Sequence, residues 1–285
     1  MLLGLSLTPY LDRGAGASPR SLIQWREDSA DFGGLSGLTL TGSDGSFAAV
    51  SDRGYFALGH FIRDTDGVMT GVTLDAYVHM LDNKGGPVDR FHGDAEAVRL
   101  MPDGRVAVAY ESYTRIALFR LPDPHPEVAH RWDQFMGYLG NHAFEALAVD
   151  QSGKLLAMLE WSVGKDYQTF VRGPDNEWQK GPPLPTDDRF AVTDAAFGPD
   201  GRLFLLERRF SIFLGYQTRL TSYDPTEAGF VMDKIELLTR MGQFGDMEGL
   251  DVWQDEKGRL IATMISDDNF LGFRPTTVAE FVLKE

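Results

Sequence analysis

Ala95-Glu96-Ala97-Val98, the turn Asp103-Gly104 and Ala109-Tyr110-Glu111-Ser112 form one unit of a layout that the chain repeats five times. Each unit opens on a small or acidic residue and an apolar pair, turns at a glycine, and runs an apolar strand to an acidic end. The other four run from Gly34-Leu35-Ser36-Gly37-Leu38 to Val50-Ser51-Asp52-Arg53, from Phe144-Glu145-Ala146-Leu147 to Met158-Leu159-Glu160-Trp161, from Thr193-Asp194-Ala195-Ala196 to Leu205-Leu206-Glu207-Arg208, and from Met247-Glu248-Gly249-Leu250 to Ile265-Ser266-Asp267-Asp268. The anchors Ser36, Glu96, Glu145, Asp194 and Glu248 recur at intervals of 60, 49, 49 and 54 residues. Between the halves stand Asp44-Gly45, Asp103-Gly104, Ser152-Gly153, Asp200-Gly201 and Lys257-Gly258. Such pairs supply the positive φ of two-residue hairpins, so each unit is expected to open with two antiparallel strands.

Further strand-like runs follow, such as Ile116 to Leu121, Thr169 to Arg172, Thr218 to Tyr223 and Thr277 to Leu283. Four strands in about 50 residues is the size of a propeller blade. The period therefore predicts an all-β propeller of four-stranded blades; a two-sheet sandwich requires no such repeat. Anchor counting gives five blades. A sixth is the alternative, hidden in the 60-residue first interval or built on Leu2 to Thr8. Only 37 residues follow the last anchor, enough for three strands, while Leu22 to Arg26 precedes the first anchor, where every other unit has its fourth strand. The N-terminal strand is thus expected to complete the last blade. The Pro-rich stretches 122–126 and 181–185 fall inside units, and 1–285 reads as one domain, with 1–20 as an arm and 21–285 as the repeats.

The 285 residues include no cysteine, which excludes disulfides, zinc-thiolate sites and a cysteine nucleophile. Twenty-seven Lys and Arg against 42 Asp and Glu give a net charge of −15. That field repels phosphate backbones and anionic lipid, so a small molecule is a better expected partner than nucleic acid. No run approaches the ~18 apolar residues of a membrane span. Met1 to Leu7 is apolar but lacks a basic flank and meets Pro9 and Asp12 early, which reads as a strand or the remnant of a leader. Lack of cysteine fits the cytoplasm and the periplasm equally.

Because the first strand of a blade lines the central channel, equivalent positions in five units point at one axis. Two polar sets result: Ser36, Glu96, Glu145, Asp194 and Glu248, and, at the end of the next strand, Asp52, Glu111, Glu160, Glu207 and Asp267. Antiparallel pairing brings both to one mouth of the channel. Nine carboxylates crowded together require a bound cation, arginines or protons to offset their repulsion. Oxygen donors in this number favour calcium, which accepts six to eight of them. The candidate metal ligands are Asp52, Glu96, Glu145, Asp194, Glu248 and Asp267. Arg53, Arg208 and Arg209 directly follow ring positions and are placed either to neutralise acids or to hold an anionic substrate group. His92 and His142 stand just before Glu96 and Glu145 as possible bases or ligands, and Asn141 and Asn269 add oxygen donors. Trp161, Tyr55, Tyr113 and Phe210 are candidate pocket walls. Repeated acids at strand ends also serve as blade-to-blade hydrogen-bond and salt-bridge elements. No Gly-x-Ser-x-Gly elbow, phosphate-binding Gly loop, His-Glu-x-x-His or dinucleotide fingerprint is present, so a nucleotide cofactor is unsupported.

These residues resemble the phytase-like family, whose bacterial members are described as having esterase-like activity. The similar elements are Leu35-Ser36-Gly37-Leu38, Val50-Ser51-Asp52-Arg53-Gly54, the units at Glu96 and Glu145, Leu206-Glu207-Arg208-Arg209-Phe210, Glu248-Gly249-Leu250 and Ser266-Asp267-Asp268-Asn269-Phe270, in order from about residue 33. Ala97 and Ala146 replace the glycine of the Glu-Gly-Leu pattern in two units, and the dense Asp-rich calcium signature of propeller phytases is absent. The resemblance implies a propeller, hydrolysis of phosphate or carboxylic esters, and export to the periplasm or beyond, with the cytoplasm left open.

The expected function is a metal-dependent hydrolase of a small ester, phosphoester or lactone, with calcium at the acidic mouth. His142, Glu160 or Glu111 would act as catalytic base, while Arg53, Arg208 and Asn269 would hold substrate. The alternatives are a non-catalytic propeller that binds a ligand or protein at the same mouth, and acidic rings that only close the structure.

Overall fold

In the computed structural model, residues 16–129, 144–163, 166–172, 177–186, 189–271 and 274–283 are described. Among them are twenty-one strands and no helix, arranged in five antiparallel sheets. The first blade is β2 (Leu35–Leu40), β3 (Ser46–Ser51), β4 (Tyr55–Arg63) and β5 (Met69–His79). The second is β6 (Ala95–Leu100), β7 (Val106–Tyr110), β8 (Arg115–Phe119) and β9 (Pro126–Ala129). In the third, β10 (Phe144–Val149), β11 (Leu155–Val163), β12 (Asp166–Arg172) and β13 (Trp178–Lys180) are joined by a two-residue strand, β14 (Leu184–Pro185), that pairs with β12. The fourth is β15 (Ala191–Phe197), β16 (Leu203–Ser211), β17 (Gly215–Thr226) and β18 (Gly229–Leu238). The fifth is β19 (Asp246–Gln254), β20 (Leu260–Asp267) and β21 (Thr276–Val282).

Its fourth strand is β1 (Ser21–Trp25), which pairs antiparallel with β21 from Ser21 opposite Glu280 to Trp25 opposite Thr276. The chain thus closes on itself as its spacing predicts, and no sheet edge is left at the seam. The 60-residue first interval holds the long β4–β5 hairpin rather than an extra blade, so the six-blade alternative is set aside; Leu2 to Thr8 lie outside the described residues.

The innermost strands β2, β6, β10, β15 and β19 pack side by side in a closed ring about the axis. Crowding there selects small residues. A Cβ added at Gly249 would meet the Leu38 amide of the neighbouring blade at 2.9 Å. The apolar side chains form five separate cores, each wedged between two blades: Val50, Phe56 and Met80 meet Val98, Val108 and Phe119, for instance, and Met158, Tyr167 and Leu184 meet Val192, Leu205 and Tyr223. Each sheet buries both faces this way, which explains apolar runs such as Val106-Ala107-Val108-Ala109-Tyr110 in place of strict alternation.

The hairpin expectation needs one correction. The inner turns exceed two residues: the Gly104 N–H donates to Met101 O at 2.9 Å and the Met101 N–H to Arg105 O at 2.7 Å. Only the glycine of each turn takes positive φ, such as 81° at Gly104. A type I turn with one left-handed glycine meets the strand twist as well as the two-residue form does.

Candidate functional site

Every inner strand carries a register break at its mouth end. The pairing skips Ser36 in β2, Glu96 in β6, Glu145 in β10, Thr193 in β15 and Glu248 in β19. A bulge inserts one unpaired residue and re-aims its side chain. Four bulged positions match the anchors read from sequence, and the fourth blade does not. There the bulge is Thr193, one residue before Asp194. On the second strands, Ser51, Tyr110, Leu159, Glu207 and Ser266 sit opposite the residue preceding the bulge, so the positions that follow them are Asp52, Glu111, Glu160, Arg208 and Asp267. The fourth blade therefore presents a threonine and an arginine where the repeat predicts two acids.

The cavity at this mouth has a volume of about 490 Å³ and is lined by Ser36, Asp52, Asp94, Glu96, Glu111, Glu145, Glu160, Arg208, Glu248 and Asp267. Eight carboxylates share it with one arginine. Asp94 was not anticipated. It and Asp246 stand two residues before the bulge in the second and fifth blades, and the repeated Asp-x-Glu of Asp94-Ala95-Glu96 and Asp246-Met247-Glu248 is the sequence signal for both. Carboxylate oxygens of Asp94, Glu96 and Glu111 all lie within 4.8 Å of one another. The Ser112 hydroxyl donates to Asp94 Oδ2. Asp52 Oδ1 and Asp246 Oδ1 are buried with no hydrogen-bond partner among the described residues.

Burial raises the proton affinity of seven of these acids. Glu96, Glu145 and Glu248 are pushed well above the usual glutamate range, first by desolvation and then by their acidic neighbours, with Arg208 opposing the rise at Glu145 and Glu248. Glu111 and Asp94 are raised by the same burial. Desolvation and nearby carboxylates lift Asp52 to about 6 and Asp267 to about 7.

Arg208 answers part of this charge. Its guanidinium contacts Asp246 at 2.8 Å, Glu160 at 3.5 Å and Glu248. Spent on three carboxylates, it is a neutraliser, and this corrects its expected role as holder of a substrate anion. Replacement by glutamine (R208Q) is expected to cost about 3 kcal/mol at pH 7.5 and less at pH 5, where the acids protonate. Thermal melts at the two pH values check this; equal losses would overturn it.

Asp194 does not line the cavity, which corrects its expected role as a metal ligand. It is fully buried deeper along the axis, pairs with Arg99 at 2.6 Å and accepts the Ala195 and Leu250 amides at 2.9 and 2.8 Å. Arg99 spans the channel, donating to Ala195 O at 2.7 Å, to Val98 O at 2.6 Å and to Leu38 O. Glu207 is likewise turned away, held by both ends of the Arg219 guanidinium at 2.8 and 2.6 Å and by the Thr221 hydroxyl at 2.5 Å. The blade-to-blade role open to any repeated acid falls to these two, for Glu207 through the Tyr167 hydroxyl of the third blade, which donates to Glu207 Oε1 at 3.0 Å.

The remaining expected residues lie around the mouth. Arg53 stacks on Phe270 and lines a neighbouring pocket. Exposed Asn269 donates its backbone N–H to Asp267 Oδ1 at 2.6 Å. His92 is exposed beside Asp89, 2.8 Å from it. Tyr55 stacks between Tyr77 and His79, and Phe210 lies against Tyr216, so neither walls the cavity. Asn141, His142 and the Trp161 side chain lie outside the described residues.

The sequence matches the family described as "Phytase-like: Esterase-like activity of phytase" over residues 30–270. The chain belongs to this phytase-like family. No curated protein sequence matches it. Among solved structures, a protein assigned as a gluconolactonase is similar at 12% identity and a TM-score of 0.52, covering 97% of each chain. The α-L-arabinofuranosidase of Podospora anserina, solved with cellotriose, is similar at 13% identity and a TM-score of 0.52, covering 93% of this chain and 95% of that one. At such identities the likeness is one of fold. The phytase-like family description supports a hydrolase-type function, and the acidic mouth is the cavity in which to look for it.

Proposed function

We propose that this phytase-like propeller hydrolyses a small ester, phosphoester or lactone with the help of a divalent cation held at the acidic mouth. The observation that carries the reading is the convergence of eight carboxylates from four blades on one cavity, three of them with oxygens mutually within 4.8 Å. The donor set is made of hard oxygens, which suits calcium or magnesium, and the partnerless buried Oδ1 of Asp52, which lines the same cavity, fits a site that completes itself with a cation.

Asp94, Glu96 and Glu111 would hold the ion. When bound, it supplies polarisation of the ester oxygen and a more acidic water. The chain's own residues do the rest. Glu145 and Glu160, from the adjacent blade, face the same space. Glu145, whose proton affinity is raised by burial beside Glu160 and Glu111, is placed to accept the proton of the attacking water. Arg208 keeps Glu160, Asp246 and Glu248 in place and limits the net negative charge that an anionic transition state would meet.

Metal content by mass spectrometry, cation titration and an ester and phosphoester screen test this together. Replacing Glu96 by glutamine (E96Q) is expected to weaken cation affinity about tenfold or more. E145Q is expected to lower kcat by roughly 10²-fold or more with cation affinity less affected. Unchanged turnover in both variants would overturn the reading. A propeller that merely binds a ligand would retain cation affinity and show no product for any ester.

A further inference from the structure

Beside the acidic mouth, one arginine is held face-on against an aromatic ring. The Arg53 guanidinium lies 3.1 Å from the centroid of the Phe270 ring and makes no ion pair among the described residues. Arg115 is likewise stacked, 3.6 Å from the centroid of the Tyr110 ring, whereas Arg99, Arg208 and Arg219 are matched with acids.

The platform carries strain. Asn269 and Phe270 have φ of 53° and 50°, and they are the only non-glycine residues with positive φ among those described. For a bulky Phe this conformation is costly, and the surroundings must enforce it. They do so through Asp267 Oδ1, which accepts the Asn269 N–H at 2.6 Å, and Asp268 Oδ1, which accepts the Phe270 N–H at 2.9 Å and the Gly34 N–H at 3.0 Å. A Cβ at Gly34 would strike both Asp52 Oδ1 and the Phe270 ring, at 2.3 and 2.4 Å, so the ring seats only because residue 34 is glycine. Asp268, which lines the same pocket as Arg53, thus accepts two backbone amides through Oδ1.

Arg53 lines a pocket of about 390 Å³ whose wall also holds Arg26, Arg274 and Phe270 and the acids Glu27, Asp28 and Asp268. It directly follows Asp52, which lines the acidic cavity. From this geometry we infer that Arg53, stacked on Phe270, is an oxyanion subsite that holds a phosphate or carboxylate group carried by the substrate next to the ester under attack. A planar guanidinium with one face on an aromatic ring keeps its edge donors directed at an oxyanion, and the ring fixes that edge without consuming its charge. The inference rests on the hydrolase reading of the acidic mouth and narrows its substrates to esters bearing a second, anionic group.

Two measurements separate the inference from that reading. In the first, inorganic phosphate and acetate are titrated into the full chain after its metal has been stripped and the chelator removed. Saturable binding is expected, weakened about tenfold or more in R53Q. R53K, which keeps the charge and loses the planar fork, and F270L, which removes the ring face, are expected to fall between. The stronger of the two anions identifies the group. In the second, the ratio of kcat/KM for an anionic ester over a neutral one is expected to drop about tenfold in R53Q, through KM. Equal phosphate and acetate affinity in wild type and R53Q, with R53K and F270L also unchanged, would overturn the subsite even in an active enzyme. Arg53-dependent anion binding in a chain that turns over no ester would uphold the subsite and overturn the hydrolase reading.

Discussion

Replacing Asp194 by alanine is expected to lower the melting temperature by roughly 10 °C, the largest loss of any single substitution at the axis. Removing one member of a buried ion pair leaves an uncompensated charge and costs about 3 to 5 kcal/mol. In a chain of this length each kcal/mol corresponds to about 2 to 4 °C. Three facts concentrate the cost. Arg99 and Asp194 are both buried, Arg99 also ties three carbonyls of three blades, and Asp194 caps the Leu250 amide of a fourth. Asp251 stays within the field of Arg99 but already accepts the Leu40 and Val252 amides at 2.5 and 2.8 Å, so it cannot move to replace Asp194. Thermal and denaturant melts of D194A and of a D194L/R99L pair check this. The pair is expected to recover part of the loss, because no charge is left buried alone. A shift below about 2 °C in D194A would show that the channel plug contributes little to stability.

The second large effect is an inverted pH dependence of stability in the metal-free chain. Asp52 and Asp267 titrate near 6 and near 7 in the folded state, against about 3.9 when unfolded. Their folded pKa values are raised, so the folded state binds protons more tightly than the unfolded chain. The resulting stability is fully present below about pH 3.9 and is lost as pH rises through 6 to 7. Taken alone, the two groups account for about 3 and about 4 kcal/mol of that loss above pH 7. Mutual repulsion makes the sum non-additive. A metal-free sample is therefore expected to melt higher at pH 5 than at pH 8, and millimolar calcium is expected to raise the pH 8 melt while changing the pH 5 melt little. A melting temperature that climbs from pH 5 to pH 8 without added cation would contradict the crowding of ionised acids at the mouth.

These two predictions concern residues that one repeat unit presents in very similar sequence surroundings and that the fold separates. Asp194 follows Thr193 much as Glu96 follows Ala95, and Glu207 follows the apolar run Leu203-Phe204-Leu205-Leu206 as Glu111 follows Val106-Ala107-Val108-Ala109-Tyr110. What distinguishes them is the bulge at Thr193. Side chains of a strand alternate faces with period two, so moving the unpaired residue by one position exchanges the inward and sideways sets. Asp194 and Glu207 pass into the contacts between blades, the Thr193 hydroxyl donates to Leu206 O and Met247 O, and of this blade only Arg208 lines the mouth.

The repeat legible in the sequence was sufficient for the propeller, the closure by the N-terminal strand and the gathering of acids at one mouth, and it gave five blades with a sixth left open. Each follows from local pattern: the period of the units, the glycine turns, and the alternation of apolar strands with acidic ends. Which acid points where, which arginine is spent on acids and which is stacked on a ring, and that Asp94 lines the cavity while Asp246 holds Arg208 depended on tertiary structure. The register of each hairpin is set by packing against the neighbouring blade, and the stacking of Arg53 on Phe270 joins segments more than 200 residues apart in sequence. The chain's local pattern determines the strands and the turns; only their contact around the axis decides the charge that each blade turns toward the cavity.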